Sequence, residues 1–161
     1  MNLDRVVLQF SLGQGVGSAV IRWFGHDGSW SHVDLVLPDG RLLGARADNP
    51  GGYGRGVQIR PANYQSFARR LVVAVPTQTA AAVYGYARAQ IGKAYDHTAI
   101  VAFFVERNWR DPDAWFCSEL AAAALIEGGF WPRPWALPCP VNKIDPDDLL
   151  LLISPYLEVI S

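Results

Sequence analysis

The stretch SHVDLVLPDGRLLGAR, residues 31–46, constrains the fold more than any other: two apolar runs, His32 to Leu37 and Arg41 to Arg46, flank Pro38-Asp39-Gly40. Proline presets φ early in a turn, aspartate bonds its own backbone, and glycine takes the left-handed residue, so a β-hairpin is expected. Arg5 to Phe10 alternates well enough for a strand. Glycines 13, 15 and 17 then break the chain before Ser18, the expected N-cap of a short helix from Ala19 to Phe24. Asp48 to Gly56 is rich in Gly, Asn and Pro and reads as a loop. Val57 to Arg60 and Leu71 to Val75 read as two more strands, flanking a short helical segment.

The second half is helical in composition. Thr77 to Ile91 holds the alanine-rich run TAAAVYGYARAQI and stops at Gly92, and CSELAAAALIE, Cys117 to Glu127, stops at Gly128-Gly129. Between them, Thr98 to Val105 fits a buried helix or strand equally, and Asn108 to Pro112 reads as an irregular connection. The tail has five prolines from Pro132 to Pro146, then the apolar run Leu149 to Ile153. Strands first and helices after, without regular alternation, predict an α+β fold with a mainly antiparallel sheet.

With 161 residues, residues 1–161 are expected to form one domain. Half of the residues are apolar or aromatic and 18% are charged, which suits a filled core and excludes disorder. A net charge of −1, with only Arg69-Arg70 paired, builds no basic stripe, so no nucleic-acid partner is expected. No apolar run approaches the ~20 residues of a spanning helix. MNLDRVVLQFSLGQG lacks the h-region and cleavage site of a secretory signal, so a cytoplasmic location is expected, with Cys117 and Cys139 both as free thiols.

Cys117 opens its helix, where unpaired backbone N–H groups and the positive end of the dipole gather. That place favours a thiolate, and the same N–H groups suit an oxyanion on an attacked carbonyl. The competing reading is a small buried residue beneath Trp115 and Phe116. A thiol nucleophile needs an imidazole, and the chain offers His26, His32 and His97. His26 sits in a polar loop and His97 suits core or surface equally. His32 begins a core strand, which holds an imidazole in fixed geometry, and is the expected base. Cys139, between two prolines, reads as structural. The Cys and His positions match no compact zinc motif, so no metal is expected. Gly13, Gly15 and Gly17 do not make a dinucleotide fingerprint.

Three segments, SHVDLVLPDGRLLGA (31–45), GKAYD (92–96) and WFCSELAAAAL (115–125), resemble the motifs of the circularly permuted NlpC/P60 papain-like hydrolases. This is the YiiX/YaeF-like group, which is related to the lecithin retinol acyltransferases. The histidine strand precedes the cysteine helix, as in that group. The resemblance implies a permuted papain-like fold and a cysteine hydrolase or acyltransferase cleaving amide or ester bonds through a thiol acyl-enzyme. Cys117 would be the nucleophile and His32 the base and then the acid, with no cofactor. It also implies that Tyr95 lines the substrate or oxyanion region, against the alternative of a half-buried core tyrosine.

One position departs from the resemblance. Relatives carry a polar residue twelve positions after the histidine, where it orients the imidazole, and here that position is Gly44. Asp34 shares a strand face with His32 and is the candidate replacement, the alternative being a side chain turned to solvent. The expected substrate is a peptide, such as a cell-wall peptide, or an acyl lipid. A phage or prophage setting with release by lysis would bring the protein to a cell wall. The rival reading is a papain-like binding or scaffolding module that has lost efficient catalysis.

Overall fold

The computed structural model describes residues 4–13, 29–96, 113–131 and 140–158. Its elements are β1 (Arg5–Gly13), β2 (His32–Val36), β3 (Leu42–Arg46), β4 (Gly56–Arg60), β5 (Phe67–Pro76), α1 (Ala80–Ala89), β6 (Ala94–Tyr95), β7 (Ala114–Trp115), α2 (Cys117–Glu127) and α3 (Pro146–Ile153). The class is α+β, with a five-stranded antiparallel sheet ordered β4-β3-β2-β1-β5 and a small parallel pair, β6-β7. No helix among these residues is long and apolar enough to cross a membrane.

The hairpin forms where its turn chemistry puts it. Leu37 N–H donates to Arg41 O and Gly40 N–H to Leu37 O, both at 2.8 Å, and Gly40 takes φ 82°, the left-handed region that favours glycine. Leu35 then pairs with Leu43 and Val36 with Leu42. On β1, Ser11 pairs with His32 and Gln9 with Asp34. Paired residues share a face, so the sheet has one face carrying Gln9, Ser11, His32 and Asp34. The other carries Leu8, Phe10, Val33, Leu35, Leu43 and Ala45, which join one apolar core with α1, α2 and α3.

The segment 61–66, expected to be helical, is a series of turns with one backbone bond, Tyr64 N–H to Pro61 O at 3.0 Å. It must carry the chain from β4 at one edge of the sheet to β5 at the other. The expected helix 77–91 contracts to Ala80–Ala89. The expected helix at 19–24, the segments 98–105 and 108–112, His26, His97 and Cys139 lie outside the described residues.

α2 begins at Cys117 and ends at Glu127, as its composition predicts. Its N3 residue, Glu119, accepts the Phe116 N–H at 3.3 Å, relieving one of the amides a helix start leaves unpaired. Ala121 to Ala124 are all buried and keep the helix thin against β2, β3 and α1. In α3, Asp145 caps Asp148 N–H at 2.7 Å and Asp148 returns a bond to Asp145 N–H at 3.2 Å, with Pro146 at the first helical position. Asp147 accepts the N–H groups of Ser29 and Trp30 at 3.1 and 3.2 Å, fastening α3 to the approach to β2.

Where α2 ends, a Cβ on Gly128 would land on Val83 of α1, its backbone N and Cα included. The helices meet there with no room for a methyl group. Gly128→Ala should therefore cost about 1–3 kcal/mol, the usual range for overpacking. Urea denaturation checks this, and an unchanged midpoint would mean that α1 and α2 do not meet at this point.

Candidate functional site

His32 and Asp34, two residues apart on β2, point to the same side, and His32 Nε2 lies 2.9 Å from Asp34 Oδ1. Asp34 does not turn to solvent: it is 1% exposed and His32 is 7% exposed. A buried carboxylate needs partners for both oxygens. Its Oδ2 receives the Tyr64 hydroxyl at 3.3 Å, from the crossing segment between β4 and β5. Tyr64 in turn accepts Arg46 Nη1 at 2.9 Å, and Arg46 grips Asp48 through Nε and Nη2 at 2.7 and 2.9 Å. The result is a polar chain that runs from the exposed Asp48 through Arg46 and Tyr64 to the buried Asp34 and His32.

Below this chain, the fully buried Arg60 donates to the carbonyls of Gly44, Gly54 and Gly56 at 3.0, 2.9 and 3.1 Å. Both guanidiniums lie over the Tyr64 ring, Arg46 at 5.4 Å and Arg60 at 5.9 Å from its centroid. Burial and the Asp34 charge raise the Tyr64 pKa, so the phenol stays a neutral donor.

Gly44 fits into the same arrangement. Continuing the β2–β3 register by one residue sets Gly44 opposite Asp34 and, two further on, Arg46 opposite His32. A Cβ at 44 would overlap Asp34 Oδ1, so the missing side chain is the space that the carboxylate occupies.

Charge in this pocket is unevenly balanced. Burial, the largest single effect, pushes the His32 pKa down and Arg46 adds to this, but the Asp34 charge, Cys117 and the Asp34 bond together outweigh them and raise it to about 9. Burial favours the neutral form of Asp34, and His32, Arg46 and Arg60 outweigh it and hold the carboxyl below its usual range. His32 is thus an imidazolium beside a carboxylate at neutral pH.

Cys117 heads α2, 1% exposed, and its charge is felt at both His32 and Tyr95. The β6–β7 pair sets Tyr95 beside Trp115, two residues before Cys117, and the Tyr95 and Phe116 rings meet at 5.8 Å. Tyr95 is buried, and burial followed by the Cys117 charge raises its pKa well above the usual value, so it too is a neutral phenol. The structure bonds His32 to Asp34 and sets Tyr95 against Phe116, the neighbour of Cys117. Tyr64 and Arg46 were not singled out. Arg46 follows from the hairpin register, but nothing local marks Tyr64, whose partner is 30 positions away.

The His32–Asp34 pair fixes a pH dependence of stability. His32 has a folded-state pKa raised above the unfolded 6.5, so its contribution is fully present below pH 6.5 and is lost as pH rises toward 9. The unfolding free energy should fall by an amount on the order of 3 kcal/mol across that interval, at ~1.36 kcal/mol for each pKa unit. Asp34→Asn should flatten the slope. Chemical denaturation at a series of pH values measures both, and a flat wild-type profile from 6.5 to 9 would contradict the buried pair.

In comparisons with known proteins, no family model matches the chain and no curated protein matches its sequence.

Proposed function

We propose that this protein is a thiol hydrolase of the permuted papain-like kind, cleaving amide or ester bonds through an acyl-enzyme on Cys117. The observation that carries this reading is the buried His32–Asp34 bond, engaged through Nε2, in a neighbourhood where the Cys117 charge raises the His32 pKa. With Nε2 held by Asp34, Nδ1 is the ring nitrogen left to serve the sulfur. An oriented imidazole, a carboxylate behind it and a thiol at a helix start are the parts of nucleophilic acyl transfer.

In the proposed cycle the Cys117 thiolate attacks the carbonyl carbon, forming a C–S bond and moving the carbonyl π electrons to oxygen. First-turn amides of α2, and the neutral Tyr95 hydroxyl, are the candidate donors to that oxyanion. As the oxyanion collapses, the C–N or C–O bond breaks and the leaving group takes a proton from the His32 imidazolium. Neutral His32 then removes a proton from water, whose oxygen attacks the thioester. The acid departs and the thiolate returns beside a reprotonated His32. Asp34 stays ionised and keeps Nε2–H in place. A peptide and an acyl lipid both supply such a carbonyl.

Cys117 is 1% exposed, and this favours a second reading, a binding module with an inert thiol. Mixing with p-nitrophenyl acetate separates the two. The enzyme reading predicts a burst of nitrophenolate with one acetyl group on Cys117, found by intact mass and peptide mapping. Cys117→Ala should abolish both, and His32→Ala should slow acylation about 10²–10⁴-fold. Acetylation of the alanine variant at the wild-type rate, or no adduct in the wild type, would reject the proposed chemistry.

A further inference from the structure

Gly44 lies inside β3, where glycine weakens a strand by leaving nothing to pack and more chain entropy to lose. Its backbone gives no reason for glycine, because its φ is not in the left-handed range. Neither does general crowding. The nearest atoms to a Cβ there are Asp34 Oδ1 and Cγ, and the next, Val33 O at 3.4 Å, is in ordinary contact. Of these neighbours, only the Asp34 side chain excludes a Cβ at 44.

The excluding atom is also the orienting atom. Asp34 Oδ1, 2.9 Å from His32 Nε2, stands where a Cβ on residue 44 would be. An aspartate at 44 therefore starts close to the imidazole, with its oxygens two bonds further out. If residue 34 had no side chain, that aspartate would have both the room and the reach to accept Nε2–H.

From this geometry we infer that residues 34 and 44 form one exchangeable unit, in which either strand of the hairpin can carry the carboxylate that orients His32, with Gly44 as the positioning residue that lets Asp34 carry it. The unit's importance for turnover rests on the thiol-hydrolase reading. Its existence does not, since it concerns space and hydrogen bonding around His32 alone. Among the described residues, the charged and titratable groups acting on His32 include Asp34, Arg46, Asp48 and Cys117, and the exchange alters only the first.

The test is the NMR titration of the His32 ring protons without substrate, in the full chain and three variants. Asp34→Gly should lower the midpoint from about 9 by at least about two pH units, because burial and Arg46 both push it down. Adding Gly44→Asp to Asp34→Gly should recover at least half of that loss. A double variant titrating with Asp34→Gly would overturn the exchange. Should it not fold, a methyl probe replaces it. Gly44→Ala should lower the melting temperature in the wild type but not in the Asp34→Gly background, and equal losses in both would overturn the proposal. Acylation of Cys117 is scored separately, so an inert thiol would reject the enzyme reading and leave this result standing.

Discussion

The hydrogen bond between His32 and Asp34 sets the terms for everything around it. A carboxylate at 1% exposure is costly unless both of its oxygens are satisfied, and the sheet supplies the partners from three directions. His32 lies on the same strand, Tyr64 arrives on the crossing segment, and Gly44 on the neighbouring strand withdraws its side chain to make room. Removing any one leaves a buried charge with an unfilled valence or no place to sit. The same face of the sheet carries Gln9 and Ser11 beside Asp34 and His32.

The apolar face and the helices do the complementary work. β2 and β3 pack against α2, whose four successive alanines let it lie close to them, while β1 packs against α1. Close approach brings the N-terminal end of α2, and Cys117 with it, within electrostatic range of a histidine 85 positions earlier. Asp147 of α3 fixes the lead-in to β2. Packing sets the separation of thiol and imidazole, while the polar face sets the charge and orientation of the ring.

Local chemistry made much of this legible in the sequence. Pro38-Asp39-Gly40 marked the hairpin, and with it the strand that holds His32 and Asp34 on one side. The alanine run from Ala121 and the Gly128-Gly129 pair marked α2 to the residue. Gly44 was legible only as an absence, because a sequence displays a missing side chain but not the neighbour that fills its space. Tyr64 and the course of 61–66 were not legible. Those six residues adopt turns, and Tyr64 among them answers to Asp34, a demand made by a residue 30 positions away. The polar residues of β1 gave a further cue that passes unnoticed without the register, since Gln9 and Ser11 line up with Asp34 and His32.

At the pH where the protein would work, Asp34 holds His32 as an imidazolium. The ¹⁵N chemical shifts of the His32 ring near pH 7.5 test it most directly, since they report the proton on each nitrogen separately. Protons on both nitrogens are expected, with the Nε2 proton shifted downfield by its bond to Asp34. A neutral ring with Nε2 unprotonated would contradict it, because Asp34 would then face a lone pair instead of a donor.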